Sequence, residues 1–227
     1  MLERARNRTR NRGGFTLIEL MVVVAVIAIL AAIMTPFVTD YLRKTRLLRA
    51  THGFRSVIQK AKSLASNINT CVAVEVNRGN NSTGGYAKVF LPNSAVVLPG
   101  DQCITGYAGW AGNPARRVLI DEFDLGSMRQ SGNFLSVQMI DLRIRLATPN
   151  QAMLYLLFDR TGQMWVGGPC AQPSICTAMI RLHSLGGDGL PLWSTLAMAD
   201  PRRKHWIREL YFTPTGATRL TIYNGET

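Results

Sequence analysis

The chain has 227 residues, of which 47% are hydrophobic and 18% are charged, and its 26 basic and 14 acidic residues give a net charge of +12. This length accommodates one membrane helix and one globular domain. The sequence contains no solenoid-type repeat and no linker long enough to separate two domains, which excludes repeat architectures and a tandem of two domains. The positive charge favours contact with polyanions or anionic lipid.

The first element is a basic tail over residues 1–14 that ends in a glycine pair, Gly13 and Gly14. The tail holds five arginines and one acid, so its removal would leave 21 basic and 13 acidic residues, a net charge of +8. In a secretory signal peptide the small residues follow a short apolar region, whereas here they precede the apolar run. Cleavage after the glycines would therefore leave the apolar run on the mature protein.

The second element is an apolar helix that begins at Phe15 and continues to Thr35. About 20 apolar residues, each rising 1.5 Å, cover the hydrocarbon core of a membrane. Glu19 is an acid within this run, and a carboxylate at the bilayer centre costs roughly 2.5–3.5 kcal/mol. Either Glu19 lies near the membrane interface, where the cost falls, or it has a specific partner.

The order of basic tail, glycine pair, acid and apolar helix closely resembles the type III signal sequence of the type IV prepilin family. The matching residues are RGGFTLIEL, at positions 12–20, followed by MVVVAVIAILAAIM. The resemblance implies cleavage after Gly14 by prepilin peptidase, N-methylation of Phe15, and a mature subunit of a helical filament. It also implies that Glu19, the fifth mature residue, neutralises the N-terminal ammonium of a neighbouring subunit, and that Pro36 bends the helix.

The resemblance also implies an orientation in the bacterial inner membrane. The N-terminus would lie in the cytoplasm, and the remainder would be periplasmic or, in a pilus or pseudopilus, extracellular. The charge count alone is less decisive, because arginines flank both ends of the span.

Beyond the membrane span, residues 15–38, the helix is expected to continue as an amphipathic helix over residues 39–69. The apolar residues that recur there at helical spacing are Tyr41, Leu42, Thr45, Leu48, Phe54, Val57, Ile58, Ala61, Leu64, Ala65 and Ile68. The cations at the other positions, Arg43, Arg46, Arg49, Lys60 and Lys62, are expected to form a solvated face. Gly53 is a weak point in the helix interior.

Residues 70–227 are expected to form a globular antiparallel β domain. The predicted strands are 71–76, 86–91, 117–121, 135–146 (in one or two pieces), 153–158, 164–166, 178–183, 207–212 and 219–223. Turn-forming residues separate several of these strands, notably at 77–85, 159–162 and 213–216. The predicted fold class is therefore α+β and pilin-like, with one long helix packed on an antiparallel sheet.

Four cysteines, Cys71, Cys103, Cys170 and Cys176, all follow the membrane span. An even number of cysteines outside the cytoplasm predicts two disulfides, with three possible pairings. The short loops 71–103 and 170–176 are favoured. A zinc site is the alternative, but the sequence has no Cys-x-x-Cys pair, and no metal or other cofactor is expected.

The segments 156–168 and 207–225 resemble paired strands of the minor pilin and pseudopilin group that includes GspH, FimT and FimU. Some FimT-type proteins bind DNA through a Gly-Arg-x-Arg turn, and the matching positions here are Gly216, Ala217, Thr218 and Arg219. Alanine replaces the first arginine, so one of the two phosphate-contacting cations is missing. A second basic patch, formed by Arg202, Arg203 and Lys204 beside Trp206, is also considered, although such clusters more often solvate a loop.

Catalysis is not expected, because His52, His183 and His205 belong to no nucleophile or metal motif. Asp188 alone supplies too few oxygen ligands for calcium. The sequence therefore predicts a minor type IV pilin that helps to initiate pilus assembly at the filament tip. Its expected partners are other minor and major pilins, prepilin peptidase, the inner-membrane assembly platform and membrane lipid. The alternatives are a GspH-like pseudopilin of a type II secretion system and a DNA-binding competence pilin.

Overall fold

The computed structural model describes residues 15–79, 84–93, 111, 113–128, 137–144, 152–167, 177–185 and 206–222. Over these ranges the chain forms one α-helix, α1 (Leu17–Asn67), nine β-strands, and the 3-10 helices Pro114–Arg116 and Leu125–Met128. The chain divides between Tyr41 and Leu42 into two compact units. The first unit contains the start of α1, and the second contains the rest of α1 and all the strands.

The described strands form two antiparallel sheets. They are β1 (Val72–Asn77), β2 (Tyr86–Pro92), β3 (Arg117–Asp124), β4 (Val137–Ile144), β5 (Met153–Phe158), β6 (Met164–Gly167), β7 (Ala178–Ser184), β8 (Ile207–Phe212) and β9 (Thr218–Ile222). One sheet has the order β3-β2-β1-β5-β6 and the other has the order β4-β7-β8-β9. All pairings are antiparallel. The predicted α+β fold class is confirmed, and segment 135–146 contributes a single strand, β4, with an irregular register between Met139 and Asp141.

The C-terminal half of α1 packs on both sheets through one apolar stripe. Its buried core residues are Leu47, Ala50, Phe54, Val57, Ile58, Ala61 and Ala65, and they join a cluster that includes residues of both sheets. Central strand β1 follows the two-residue alternation of a sheet. Val72 and Val74 face this cluster, whereas Cys71 and Ala73 belong to a second cluster on the other face.

The prediction of which apolar side chains of α1 are buried was wrong for four residues. Tyr41, Leu42 and Leu48 are 68%, 44% and 38% exposed, and Ile68 is 44% exposed. Leu47 is buried instead. The buried residues from 47 to 65 recur every three or four positions, as one helix stripe requires, and these four apolar side chains lie outside that stripe or beyond its ends.

Lys60 and Lys62, two of the cations predicted to form a solvated face, also contact the β domain, and the Lys60 side chain stays 60% exposed. The Nζ atom of Lys60 lies 2.7 Å from Oδ2 of Asp121 on β3. The Nζ atom of Lys62 donates a hydrogen bond of 2.9 Å to the carbonyl oxygen of Thr215, in the turn between β8 and β9. Both lysines therefore tie α1 to a strand or turn of the sheets.

Two glycine turns meet beside Lys62. Gly162 lies in the β5–β6 turn and Gly216 in the β8–β9 turn, with φ angles of 77° and 69°. A Cβ atom on Gly216 would lie 2.5 Å from the carbonyl oxygen of Gly162 and 3.0 Å from Cδ of Lys62. The Met164 amide also donates a 2.7 Å hydrogen bond to the Pro214 carbonyl. This corner links the two sheets, and glycine is required there by both conformation and space.

Gly53 makes room for an aromatic pair rather than merely weakening α1. A Cβ atom at position 53 would collide with the ring of Phe123 on β3. That ring packs edge-to-face on Phe54, with centroids 5.1 Å apart and an interplanar angle of 77°. The helix therefore carries a residue of low helix propensity because a larger one would displace Phe123.

Glu75 is buried on the face of the five-stranded sheet that is turned away from α1. Its Oε2 atom accepts hydrogen bonds from Arg117 Nη1 at 2.6 Å and from the Tyr155 hydroxyl at 2.9 Å, and its Oε1 atom accepts one from the Tyr86 hydroxyl at 2.8 Å. Burial by itself raises the pKa of Glu75, but these three donors and the Arg117 charge outweigh burial and hold the pKa below its ordinary value. Burial and the Glu75 carboxylate raise the pKa of Tyr86 and Tyr155 to about 12.

The four-stranded sheet carries a second charged cluster that runs across three strands. The Nε atom of Arg181 on β7 lies 2.7 Å from Oε1 of Glu209 on β8, and its Nη1 atom lies 3.4 Å from Oδ2 of Asp141 on β4. His183 follows on the same face of β7 and is fully buried. Burial, with a smaller effect of the Arg181 charge, lowers the pKa of His183 to about 3. His183 is therefore neutral near pH 7.

Gly53→Ala tests the packing of Phe123. We expect the substitution to lower the free energy of unfolding by about 1 kcal/mol, because overpacking costs about 1–3 kcal/mol while alanine returns about 1 kcal/mol of helix propensity. Denaturant unfolding of the full chain in neutral detergent measures the change. In a Phe123→Ala background the same substitution should instead stabilise the protein. Stabilisation by Gly53→Ala in both backgrounds would contradict the packing argument.

His183 gives the domain a pH-dependent stability. Because its folded pKa lies below the ordinary 6.5, its contribution is complete above pH 6.5 and is lost as the pH falls from 6.5 towards 3. The loss should approach about 1.4 kcal/mol per pH unit in this window. Unfolding curves recorded between pH 7 and pH 5, about the range in which histidine titrates, should show this slope. The His183→Gln substitution should abolish the slope. His52→Gln, at an exposed helix position, should leave the slope unchanged. If the slope persists in His183→Gln, the pH dependence does not come from His183.

Candidate assembly segment

Helix α1 begins with a capping interaction that the sequence analysis missed. The Glu19 amide donates a 3.3 Å hydrogen bond to the Thr16 hydroxyl, and the Leu20 amide donates one of 3.2 Å to the Thr16 carbonyl. Thr16 therefore acts as the N-cap of α1. The signal was present in the sequence, because Thr16 and Glu19 have the Ser/Thr-x-x-Glu spacing of a capping box. This cap places the start of α1 at Leu17, two residues after Phe15.

The first part of α1 exposes a continuous apolar surface. Every Leu, Ile, Val, Met and Phe side chain from Phe15 to Val38 is at least 46% exposed. The helix is long and apolar enough to cross a membrane. An apolar surface of this length is not stable in water, so lipid or other apolar helices must cover it.

Glu19 is the single ionisable side chain between Phe15 and Thr39. It lies in the first turn of α1. The positive end of the helix macrodipole stabilises a carboxylate at that position. An acid that is surrounded by apolar side chains on every other side needs a cation or a hydrogen-bond donor when the helix is covered.

Pro36 lies within α1, which stays helical on both sides of it. The proline has no amide to donate to the carbonyl four residues earlier. The hydroxyls of Thr35 and Thr39 make hydrogen bonds of 2.7 and 2.8 Å to the carbonyls of Ala31 and Pro36. Such hydroxyl bonds help to satisfy backbone carbonyls near a helix proline. The predicted bend at Pro36 stays a prediction.

The polar groups of the two buried charged clusters bind one another. A general acid or base must reach a substrate proton, whereas both Glu75 oxygens already accept hydrogen bonds from buried or half-buried donors. Arg181 likewise forms ion pairs with two acids, Asp141 and Glu209. Within the described ranges, no group of three His, Cys, Asp or Glu side chains is placed to hold a metal ion. These clusters fit a structural role.

Cys71 is buried at the start of β1 and takes part in a disulfide. The other three cysteines, Cys103, Cys170 and Cys176, lie outside the described residues. The 71–103 and 170–176 pairings therefore stay predictions.

The residues considered for DNA binding fall into two groups. Arg219 is exposed on edge strand β9, opposite Tyr211 in the register. Next to it, Gly216, Ala217 and Thr218 line a groove of about 440 Å³ beside the C-terminal end of α1. Arg202, Arg203 and Lys204 lie outside the described residues, as does Gly14, the predicted last residue of the leader. DNA binding stays a prediction.

Comparison with known proteins identifies the N-terminal segment. Residues 9–35 match the family model described as the prokaryotic N-terminal methylation motif. The chain is 33% identical over 119 residues to prepilin peptidase-dependent protein D of Escherichia coli strain K12, and the match covers 44% of this chain and 81% of that relative. It is 50% identical over 50 residues to a fimbrial protein of Pseudomonas aeruginosa, which covers 22% of this chain and 32% of that protein.

Among solved structures, the crystal structure of the type IV minor pilin FimU of Pseudomonas aeruginosa PAO1 aligns with a TM-score of 0.40 and 11% identity. The alignment covers 82% of this chain and 95% of FimU. The sequence match to prepilin peptidase-dependent protein D extends well past the methylation motif and spans most of that relative. The chain therefore belongs to the family of type IV pilins and pseudopilins.

Proposed function

We propose that this chain is a minor type IV pilin that helps to initiate pilus assembly at the filament tip, after prepilin peptidase removes residues 1–14. The observation that carries the proposal is the exposed apolar surface of α1, with Glu19 as its single carboxylate. Glu19 is four residues, about one helical turn, from Phe15, where the mature chain would begin.

Before assembly, this apolar surface would contact lipid. In the filament it would contact the corresponding helices of neighbouring subunits, and Glu19 would neutralise the methylated N-terminal ammonium of one neighbour. Removing both charges from water has a large cost, which their attraction in a low-dielectric core offsets only when the two meet. A subunit inserted out of register would leave both charges unpaired, so the pair favours one position in the helical array.

The assignment to the minor pilin and pseudopilin group is supported by the corner where Gly162, Gly216 and Lys62 meet. The two segments that resemble the GspH, FimT and FimU group, 156–168 and 207–225, are brought together at this corner. A pseudopilin of a type II secretion system would use the same physics. Deleting the gene separates the two: loss of surface filaments supports the pilin, and loss of secretion of folded proteins with normal filaments supports the pseudopilin.

Glu19→Gln tests the assembly mechanism in the native host. The variant should enter the membrane and lose its leader normally, because neither step needs the carboxylate. Its recovery in sheared filaments should fall at least about tenfold, since a difference of 1.4 kcal/mol corresponds to a factor of ten and an unpaired buried charge costs more than that. Immunoblots of the membrane and filament fractions measure both quantities.

Two variants serve as controls for Glu19→Gln. Glu19→Asp retains the charge on a shorter side chain and should assemble to an intermediate level. Asp40→Asn removes the next acid along α1, outside the apolar run, and should assemble normally. Normal recovery of Glu19→Gln in filaments would refute the proposed charge pairing, whatever the gene deletion shows.

A further inference from the structure

Four cations follow the apolar surface of α1 within seven residues: Arg43, Lys44, Arg46 and Arg49. We call them the basic collar. No acid occurs between Asp40 and Glu75, so the collar lies in a stretch of the chain that carries only positive charge. The collar begins five residues after Val38, the last residue of the exposed apolar run.

The collar surrounds the helix instead of lying on one side of it. With about 100° between successive residues, its members point at roughly 0°, 100°, 300° and 240° around the axis. Their spread along the axis is about 9 Å, close to the thickness of one headgroup layer, which is about 5–8 Å. A solvated face would occupy one side of the helix over many turns, whereas a ring of cations at one level suits a plane of negative charge.

Three collar cations lack an acidic partner within the part of the chain that the structure describes. Lys44, Arg46 and Arg49 form no ion pair there, in contrast to Lys60 with Asp121. Lys44 lies over the ring of Trp206, with its Nζ atom 5.6 Å from the ring centroid, which positions the ammonium but leaves its charge uncompensated. Lys44 and Arg49 are exposed and therefore available to an anionic ligand, whereas Arg43 and Arg46 are half-buried.

The apolar side chains interleaved with the collar are also exposed. Tyr41, Leu42 and Leu48 are 68%, 44% and 38% exposed. Exposed aromatic and aliphatic side chains interspersed with cations are typical of a membrane interface. The long stems of Lys and Arg can lie along apolar surface while their charged ends reach phosphate groups.

We propose that the basic collar binds the phosphate groups of anionic phospholipids at the surface of the membrane that the apolar part of α1 enters. The proposal depends on membrane insertion of α1, and it does not depend on whether the subunit initiates pili. It explains both the absence of acids after Asp40 and the exposed side chains at positions 41, 42 and 48.

The test compares two lipids that differ in headgroup charge. The full chain in neutral detergent is titrated with phosphatidylglycerol or with phosphatidylcholine of the same acyl chains, and retained lipid is counted by native mass spectrometry. Each cation near an anionic surface strengthens binding roughly fivefold, so the unmodified chain should prefer phosphatidylglycerol by at least about tenfold. About 1 M salt should weaken that preference, because the Debye length is then only about 3 Å.

The quadruple variant R43Q/K44Q/R46Q/R49Q should lose the preference for phosphatidylglycerol. The matched control R78Q/R116Q/R160Q/R219Q removes the same charge from the β domain and should keep it. If the collar variant does not fold, K44Q/R49Q, which changes the two exposed cations, replaces it and should weaken the preference for phosphatidylglycerol.

Several outcomes would overturn the proposal. Equal retention of the two lipids by the unmodified chain would show that the collar does not recognise headgroup charge. Equal loss in the collar and control variants would show a dependence on net charge alone. Displacement of phosphatidylglycerol by millimolar inorganic phosphate would indicate a free phosphate site, and displacement by a short DNA duplex at equal phosphate concentration would indicate a nucleic-acid site.

Discussion

The exposed apolar surface of α1 determines which environment this protein needs. From Phe15 to Val38 the helix has no covering of its own, so it requires a membrane or a bundle of similar helices. Both environments penalise an unpaired charge, which makes Glu19 the residue most sensitive to what surrounds the helix. The later turns of the same helix are instead covered by the protein itself, because their apolar stripe belongs to the core of the β domain. One element therefore carries both the exposed apolar surface and part of the core of the domain.

The β domain fixes its register with charge as well as with apolar packing. On β1, Val72, Val74 and Val76 face the main core while Glu75 meets its three donors on the opposite face. A slip of one residue would turn the Glu75 carboxylate into the apolar core and leave Arg117 without its acid. The Arg181 cluster can act in the same way across β4, β7 and β8. We therefore expect the buried charges of this domain to favour one strand pairing, whatever their net effect on stability.

The sequence was sufficient for features that depend on neighbours in the chain. Alternation predicted β1, and turn residues predicted the β5–β6 and β8–β9 hairpins within one or two residues. Contacts between distant segments were not predictable in this way. Arg117 is 42 positions from Glu75, and Lys62 is 153 from Thr215, so only the folded topology brings them together. Leu48 was misjudged because periodicity identifies apolar residues without showing which ones the sheets will cover.

The most direct test of this account is the intact mass of the protein recovered from the membranes of its own host. The expected chain begins at Phe15 and carries one added methyl group, because residues 9–35 match the methylation motif and the glycine pair precedes the apolar helix. A mass that begins at Met1 in cells with active prepilin peptidase would contradict it. The exposed helix would then be an ordinary membrane anchor, and the proposed role of Glu19 in filament assembly would have no basis.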